Sequence, residues 1–282
     1  MIKLVECPRD AMQGIHEFIP TEIKAEYINL LLQVGFDTID FGSFVSAKAI
    51  PQMQDTVAVL NKLNLSASSS KLLAIVANLR GVQEAVQYEH IAYLGFPFSV
   101  SETFQQRNTN SSIEQSLVMV EEMMNLCSQY NKKAVVYLSM GFGNPYGDEW
   151  SHELLEYWTG QLAERGVQIL SLADTIGVSS SDKIKYIFPH LAKQFPELDL
   201  GVHLHSLTSN WKEKIEAAYQ SGCKRFDSAL KGYGGCPMAA DELVGNIATE
   251  NVISYLKDQG EVLKLDMNKW QEALAFSSSV FK

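Results

Sequence analysis

The chain alternates short apolar or β-branched runs with longer stretches whose apolar residues recur every three or four positions. The short runs "IKLVEC" (2–7), "TIDFGSF" (38–44), "KLLAIV" (71–76), "HIAYLGF" (90–96), "KAVVYLSM" (133–140), "QILSLAD" (168–174), "LGVHLH" (200–205) and "RFDSAL" (225–230) predict eight strands. Between them, stretches such as 21–35, 112–131, 151–166, 181–195 and 210–222 predict amphipathic helices, several opening at Ser, Thr or Asn and closing on Gly. Eight strand-plus-helix units point to an α/β TIM (β/α)8 barrel rather than an open doubly wound sheet. No GxGxxG follows the first strand, which weakens a dinucleotide-binding reading. No linker or low-complexity tract divides the chain, so residues 1–282 are expected to form a single domain. An additional C-terminal helix, "NKWQEALAFSSSV" (268–280), is expected on the outside of the barrel.

Composition narrows the class. The 282 residues are 46% hydrophobic and 20% charged, ordinary for a globular protein with a large core. A formal charge of -10 argues against a general nucleic-acid or anionic-membrane binder. The apolar runs fall short of the roughly 20 residues that span a bilayer, and the N-terminus lacks a signal-like apolar stretch, so a cytoplasmic protein is expected. The four cysteines form no CxxC pair; Cys127 and Cys223 fall in helix-like segments, whereas Cys236 lies in the glycine-rich "GYGGCP".

In a TIM barrel the active site lies at the C-terminal ends of the strands, and the unusual polar residues collect there. Strand one leads to Glu6, Arg9 and Asp10, strand two carries Asp40 and Ser43, and strand five runs into Ser139 and "GFGNPYGD". Strand six ends in Asp174 and Thr175, strand seven in His203 and His205, and strand eight leads to Cys236 and Asn246. On a strand, residues i and i+2 share a face, so the two histidines stand side by side. With oxygens from Asp10 and Asn246 they make a donor set for a divalent metal, Mg²⁺ or Mn²⁺ before Zn²⁺, with positions left for a substrate. Arg9 is placed to stabilise charge on a substrate oxygen, with Glu6 orienting it, although a plain surface ion pair with Asp10 is the bland alternative. Asp174 capping a helix and Asp40 holding a loop are the corresponding structural readings. The glycines around Cys236 suit a loop that moves over the site.

These motifs resemble hydroxymethylglutaryl-CoA lyase, within the metal-dependent lyase and synthase group of TIM barrels. The resemblance is carried by "PRDAMQ" (8–13), "SFVSAKAIPQMQD" (43–55), "SETFQQRNTNSSIEQS" (101–116), "SLADTIGV" (171–178), "HLH" (203–205) and "GYGGCPMAADELVGNIATE" (232–250), in that order. It implies a divalent metal held by Asp10, His203, His205 and Asn246, and catalytic roles for Arg9 and Cys236. Glu6, Asp40 and Asp174 match further acidic positions near the site, Glu250 matches an acid just after the metal-binding Asn, and His203 is a candidate for proton transfer besides metal binding. The implied reaction is retro-Claisen cleavage of 3-hydroxy-3-methylglutaryl-CoA into acetoacetate and acetyl-CoA, a step of leucine degradation.

The match departs at identifiable places. The family continues its first motif with an Asn and a Lys that help to hold CoA, where this chain has Gly14 and His16; an Asp commonly follows the second histidine, where this chain has Ser206; and many members carry a cysteine at Asn144. The expected partner is a small acyl-CoA, with no nucleic acid and no membrane, and a homodimer is expected. A related Claisen-type synthase or aldolase for another 3-hydroxyacyl compound, and a non-catalytic barrel binding metal or carboxylate, are the competing readings.

Overall fold

In a computed structural model of the protein, residues 1–66, 68–235 and 244–281 are described. Strands β1 (Lys3–Glu6), β2 (Thr38–Ser43), β3 (Lys71–Ile75), β4 (Ile91–Ser99), β5 (Lys133–Ser139), β6 (Ile169–Asp174), β7 (Asp199–Leu204) and β8 (Arg225–Ser228) form a closed barrel in chain order. Every neighbouring pair is parallel, and β8 returns to β1 with Val5 opposite Asp227. The predicted TIM barrel is therefore the observed fold.

The helices lie outside. Helices α1 (Pro8–Gln13) and α2 (Thr21–Val34) follow β1, α3 (Thr56–Leu60) follows β2, and α4 (Leu79–Ala85) follows β3. After β4 come α5 (Glu102–Thr109) and α6 (Ile113–Gln129), then α7 (His152–Glu164), α8 (Ser181–Gln194) and α9 (Trp211–Gln220) in turn after β5, β6 and β7. Two helices follow β8: α10 (Thr249–Asp258), which completes the eighth unit, and α11 (Met267–Val280), the additional C-terminal helix. Side chains satisfy the amides left over at several helix starts: Ser101, Ser151, Ser180 and Asp266 cap α5, α7, α8 and α11, and Ser112 with Gln115 makes a capping box on α6. The expected outer helix is α11, which packs on α2 with Trp270 edge-on to Phe36.

The core has two parts. Between strands and helices, residues such as Tyr27, Ile28, Leu31 and Leu32 of α2 are fully buried, each side chain contributing roughly 1.5–3 kcal/mol. Inside the barrel a smaller apolar cluster joins Leu73 and Ile75 of β3, Val135 and Tyr137 of β5, and Ile169 of β6. The inner faces of β7 and β8 are polar instead. Two irregularities shape the mouth. A register shift at Asp40/Gly42 lets Thr56 bond the Ser43 amide, and a Cβ at Gly42 would meet Thr56 Cγ2 at 2.6 Å. Strand β4 runs past its expected end because pairing continues through Pro97 opposite Tyr137.

Candidate active site

Arg9 and Asp10 reach the mouth by way of a helix, not the strand end. Pro8 starts α1 two residues after β1, its fixed φ suiting the first helical turn, and the chain turns inward over the barrel. Both charged residues are buried there. His203 stands near the end of β7, and His205 lies one residue beyond it in an antiparallel bridge with Asn246. That bridge brings a residue from after β8 to the first turn of α1, where Asn246 Nδ2 donates to Asp10 Oδ2 at 2.6 Å.

Asp10, His203 and His205 each offer an atom within 4.8 Å of the others, and the two Nε2 atoms are 3.3 Å apart. Adjacent ligands at bonds of about 2.1 Å around one cation have this kind of spacing. The donor set and its burial fit a divalent metal, and Asn246 lies against the same carboxylate. A side chain at Gly234 would destroy the arrangement, because its Cβ would meet Asp10 O at 2.7 Å and Asn246 Nδ2 at 2.8 Å. Burial raises the Asp10 carboxyl, but Arg9, His203, His205 and Asn246 together outweigh it and hold the group below its ordinary range. Burial and the neighbouring His203 push His205 down to about 4, so it is neutral at pH 7 and able to ligate. His203 moves the other way: burial lowers it, but Asp227 and Asp10 outweigh that.

Arg9 is fixed on three sides. Its Nε lies 3.0 Å and its Nη2 2.5 Å from Asp40 Oδ2, while Nη1 donates to Asp10 Oδ1 at 3.0 Å and to Gln13 Oε1 at 2.8 Å. Burial draws the guanidinium down and burial lifts Asp40 toward about 6, yet the two-point contact makes the pair an ion pair at neutral pH, and the net shift of Arg9 is upward. Glu6, expected to orient Arg9, instead accepts from Leu230 N at 2.8 Å and Thr249 Oγ1 at 2.6 Å, so it ties β1 to the segments after β8. Burial raises it to about 8. Asp174 accepts from Ser179 Oγ at 2.5 Å and from the wholly buried Lys214 at 2.7 Å. Lys214 also donates to His205 O at 2.8 Å, so Asp174 and Lys214 hold the β6 and β7 ends beneath the histidines.

The pocket above has an apolar wall of Val45, Ile50, Ile75, Pro97 and Phe104, with Gln13, Asn108, Ser139 and Thr175 among its polar groups, and it opens onto Arg9, Asp10, His203 and His205. Ser43 caps its own loop through Val45 N, and Glu250 accepts from Lys231 N. Asn144 closes the turn after β5, accepting from Tyr146 N and Asp148 N. Cys236 lies outside the described residues. Sequence reasoning did not single out Gln13, Lys214 or Asp227. For Gln13 and Lys214 the polar side chain within a helix carries little signal, but an Asp in the middle of a predicted strand, as in "RFDSAL", is a mark of a polar barrel interior.

The fold and the site define a TIM barrel with a candidate metal centre and a captive arginine at its C-terminal mouth. The HMGL-like family profile matches residues 2–277, and the chain belongs to that family. Among its relatives is the cytoplasmic 3-hydroxy-3-methylglutaryl-CoA lyase of Rattus norvegicus, 34% identical over 275 residues, which are 96% of this chain and 79% of that protein. The hydroxymethylglutaryl-CoA lyase YngG of Bacillus subtilis is 31% identical over 90% of this chain and 84% of its own length. An HMG-CoA lyase from Acinetobacter baumannii, solved in complex with coenzyme A and 3-methylmalate, superposes with a TM-score of 0.91 at 28% identity, covering 99% of this chain and 91% of that one.

Proposed function

We propose that this chain is a divalent-metal-dependent carbon–carbon lyase that splits 3-hydroxy-3-methylglutaryl-CoA into acetoacetate and acetyl-CoA. The observation that carries the reading is Arg9, locked by Asp40, beside the buried Asp10, His203 and His205 on the floor of one pocket. Asp10, His203, His205 and Asn246 would hold Mg²⁺ or Mn²⁺, the cations that suit mixed carboxylate, amide and imidazole donors. An ion held there would supply Lewis acidity toward the substrate's tertiary hydroxyl.

The remaining work belongs to the chain. The hydroxyl proton passes in this reading to Asp10, a carboxylate on the pocket floor that Arg9, His203, His205 and Asn246 keep ionised. The carbonyl of acetoacetate forms as the C2–C3 bond breaks, and the bonding pair passes to the thioester as the enolate of acetyl-CoA. Arg9 faces that developing charge with a guanidinium already fixed in place, so little reorganisation accompanies the reaction. The apolar wall excludes water from the enolate. A proton delivered to carbon completes acetyl-CoA, a role assigned to the Cys236 thiol. Cys236→Ser is expected to lower the cleavage rate far more than Mn²⁺ affinity; equal losses would contradict that assignment.

Support for an acyl-CoA substrate comes from the coenzyme A bound by the A. baumannii relative. Gly14 and His16, at the positions of the family's CoA contacts, are both exposed beyond the end of α1. A cytoplasmic location follows the relatives named for it. Incubation with 3-hydroxy-3-methylglutaryl-CoA and Mg²⁺ in D₂O should yield acetyl-CoA carrying one deuterium in its methyl group. Absence of acetyl-CoA would remove the proposed substrate.

A further inference from the structure

Below the pocket floor, β7 and β8 carry polar side chains that the reaction above does not use. The strands pair with His203 opposite Asp227 and Val202 opposite Phe226. Val202 and Phe226 pack in the outer core, so the alternate residues Gly201, His203, Arg225 and Asp227 turn into the barrel. Asp227 has a fully buried side chain, and neither of its oxygens has a hydrogen-bond partner among the described residues. The same is true of His203 Nδ1 and of Arg225 Nε and Nη2. These groups face one another: His203 Nδ1 is 3.5 Å from Asp227 Oδ2, and Arg225 Nε is 4.0 Å from Asp227 Oδ1.

We propose that Asp227 is a positioning residue for His203, accepting its Nδ1–H and so fixing the tautomer whose free lone pair lies on Nε2, beside Asp10 and His205. The inference rests on the reading of His203 as a site imidazole. At 3.5 Å the contact is longer than a settled N–H···O bond, and a small rotation of the imidazole closes it. Competing acceptors around Nδ1 are weak. Tyr137 meets the His203 ring edge-on with centroids 5.7 Å apart, and the nearby Cys7 offers a sulfur whose own hydrogen bond runs to Val5 O. A buried carboxylate without a partner is costly, so carboxylate and imidazole N–H each answer the other's need.

Arg225 sets a counter-charge beside Asp227, its Nε 4.0 Å from Oδ1, and Gly201 makes the space. A Cβ at Gly201 would come within 2.9 Å of the Cβ, Cγ and Cδ atoms of Arg225. Two residues of β7 and two of β8 thus form one stack, in which Gly201 admits Arg225, Arg225 balances Asp227 and Asp227 orients His203. Carboxylates behind ligating imidazoles fix ring orientation and tautomer in metal sites generally.

The test is Mn²⁺ affinity of the substrate-free protein, read from the electron paramagnetic resonance of the free ion. Asp227→Val should weaken binding about 10- to 100-fold, and Asp227→Asn, whose side-chain carbonyl still accepts, should lose clearly less. In ¹⁵N spectra of the histidine-labelled, metal-free wild type, at a pH where both rings are neutral, His203 should carry its proton on Nδ1. His205→Ala serves as the reference and should abolish tight binding. If it does while both Asp227 variants bind within about twofold of wild type, the positioning role is overturned and the site stands. If His205→Ala binds Mn²⁺ as tightly as wild type, the metal-site reading falls and this role with it. Should Asp227→Val fail to fold, the wild-type tautomer decides, and a proton on His203 Nε2 overturns the proposal.

Discussion

Arg9 is buried between two carboxylates and the Gln13 amide, so its guanidinium is set before a substrate arrives. Loss of one preorganised donor to a developing oxyanion costs about 10²–10³ in rate, and Arg9→Gln is expected to lower kcat by that order while KM moves less, as steady-state kinetics would show. Arg9→Lys should not restore the rate, because a single ammonium cannot reproduce the two-point grip on Asp40 together with the contact to Asp10. At the rim, His16→Lys returns a cation where the family places one. It should lower KM for the thioester by at most about fivefold, as befits an exposed charge, with kcat unchanged. At this scale the sequence disclosed residue types better than pairings. Arg9, Asp10, His203, His205 and Asn246 were legible because strand ends converge on one mouth. The exchange of Glu6 for Asp40 as the partner of Arg9 was not, since it depends on α1 turning inward and on the shifted register near Gly42.

The elements themselves were readable to the extent that they were long and periodic. All eight strands fall where apolar runs predicted them, because parallel barrel strands are buried on both faces. Helices α1, α3 and α4 are five to seven residues long, too short to show a period, although Pro8 at the first position of α1 was a usable sign. The join of β6 and β7 supplies a prediction at this scale. Lys214 reaches from α9 beneath both strand ends to Asp174, Gly177 O and His205 O. Lys214→Met leaves the Asp174 carboxylate buried without its counter-charge and should destabilise the protein by about 3–5 kcal/mol in urea unfolding. The double change Lys214→Met with Asp174→Asn should recover part of that loss; equal stability of single and double variants would argue against the ion pair as the fastening.

Across the whole molecule, the site draws on residues separated by most of the chain, and barrel closure between β1 and β8 is what joins them. Glu6 sits at that closure. Its folded-state pKa of about 8 lies above its ordinary 4.5, so the folded protein keeps a proton that the unfolded chain gives up. Its contribution is complete at low pH and is lost as pH rises toward 8, at a slope of up to about 1.4 kcal/mol per pH unit. His205 has the opposite sign: its pKa falls from 6.5 to about 4, so its contribution is lost as pH falls through that window. Between pH 6.5 and 8 Glu6 therefore acts without opposition from His205. The metal-free protein should lose Tm over that range, and Glu6→Gln should flatten the decline; parallel curves would show that Glu6 is not the titrating group. Metal-dependent cleavage at this barrel mouth, with the ion held by Asp10, His203, His205 and Asn246, is tested most directly by acetoacetate release from 3-hydroxy-3-methylglutaryl-CoA by metal-depleted protein titrated with Mg²⁺ or Mn²⁺. Release should rise from background and saturate with the ion in the wild type but not in His205→Ala; release that is absent, or equal with and without the ion, would rule out a metal-dependent lyase at this site.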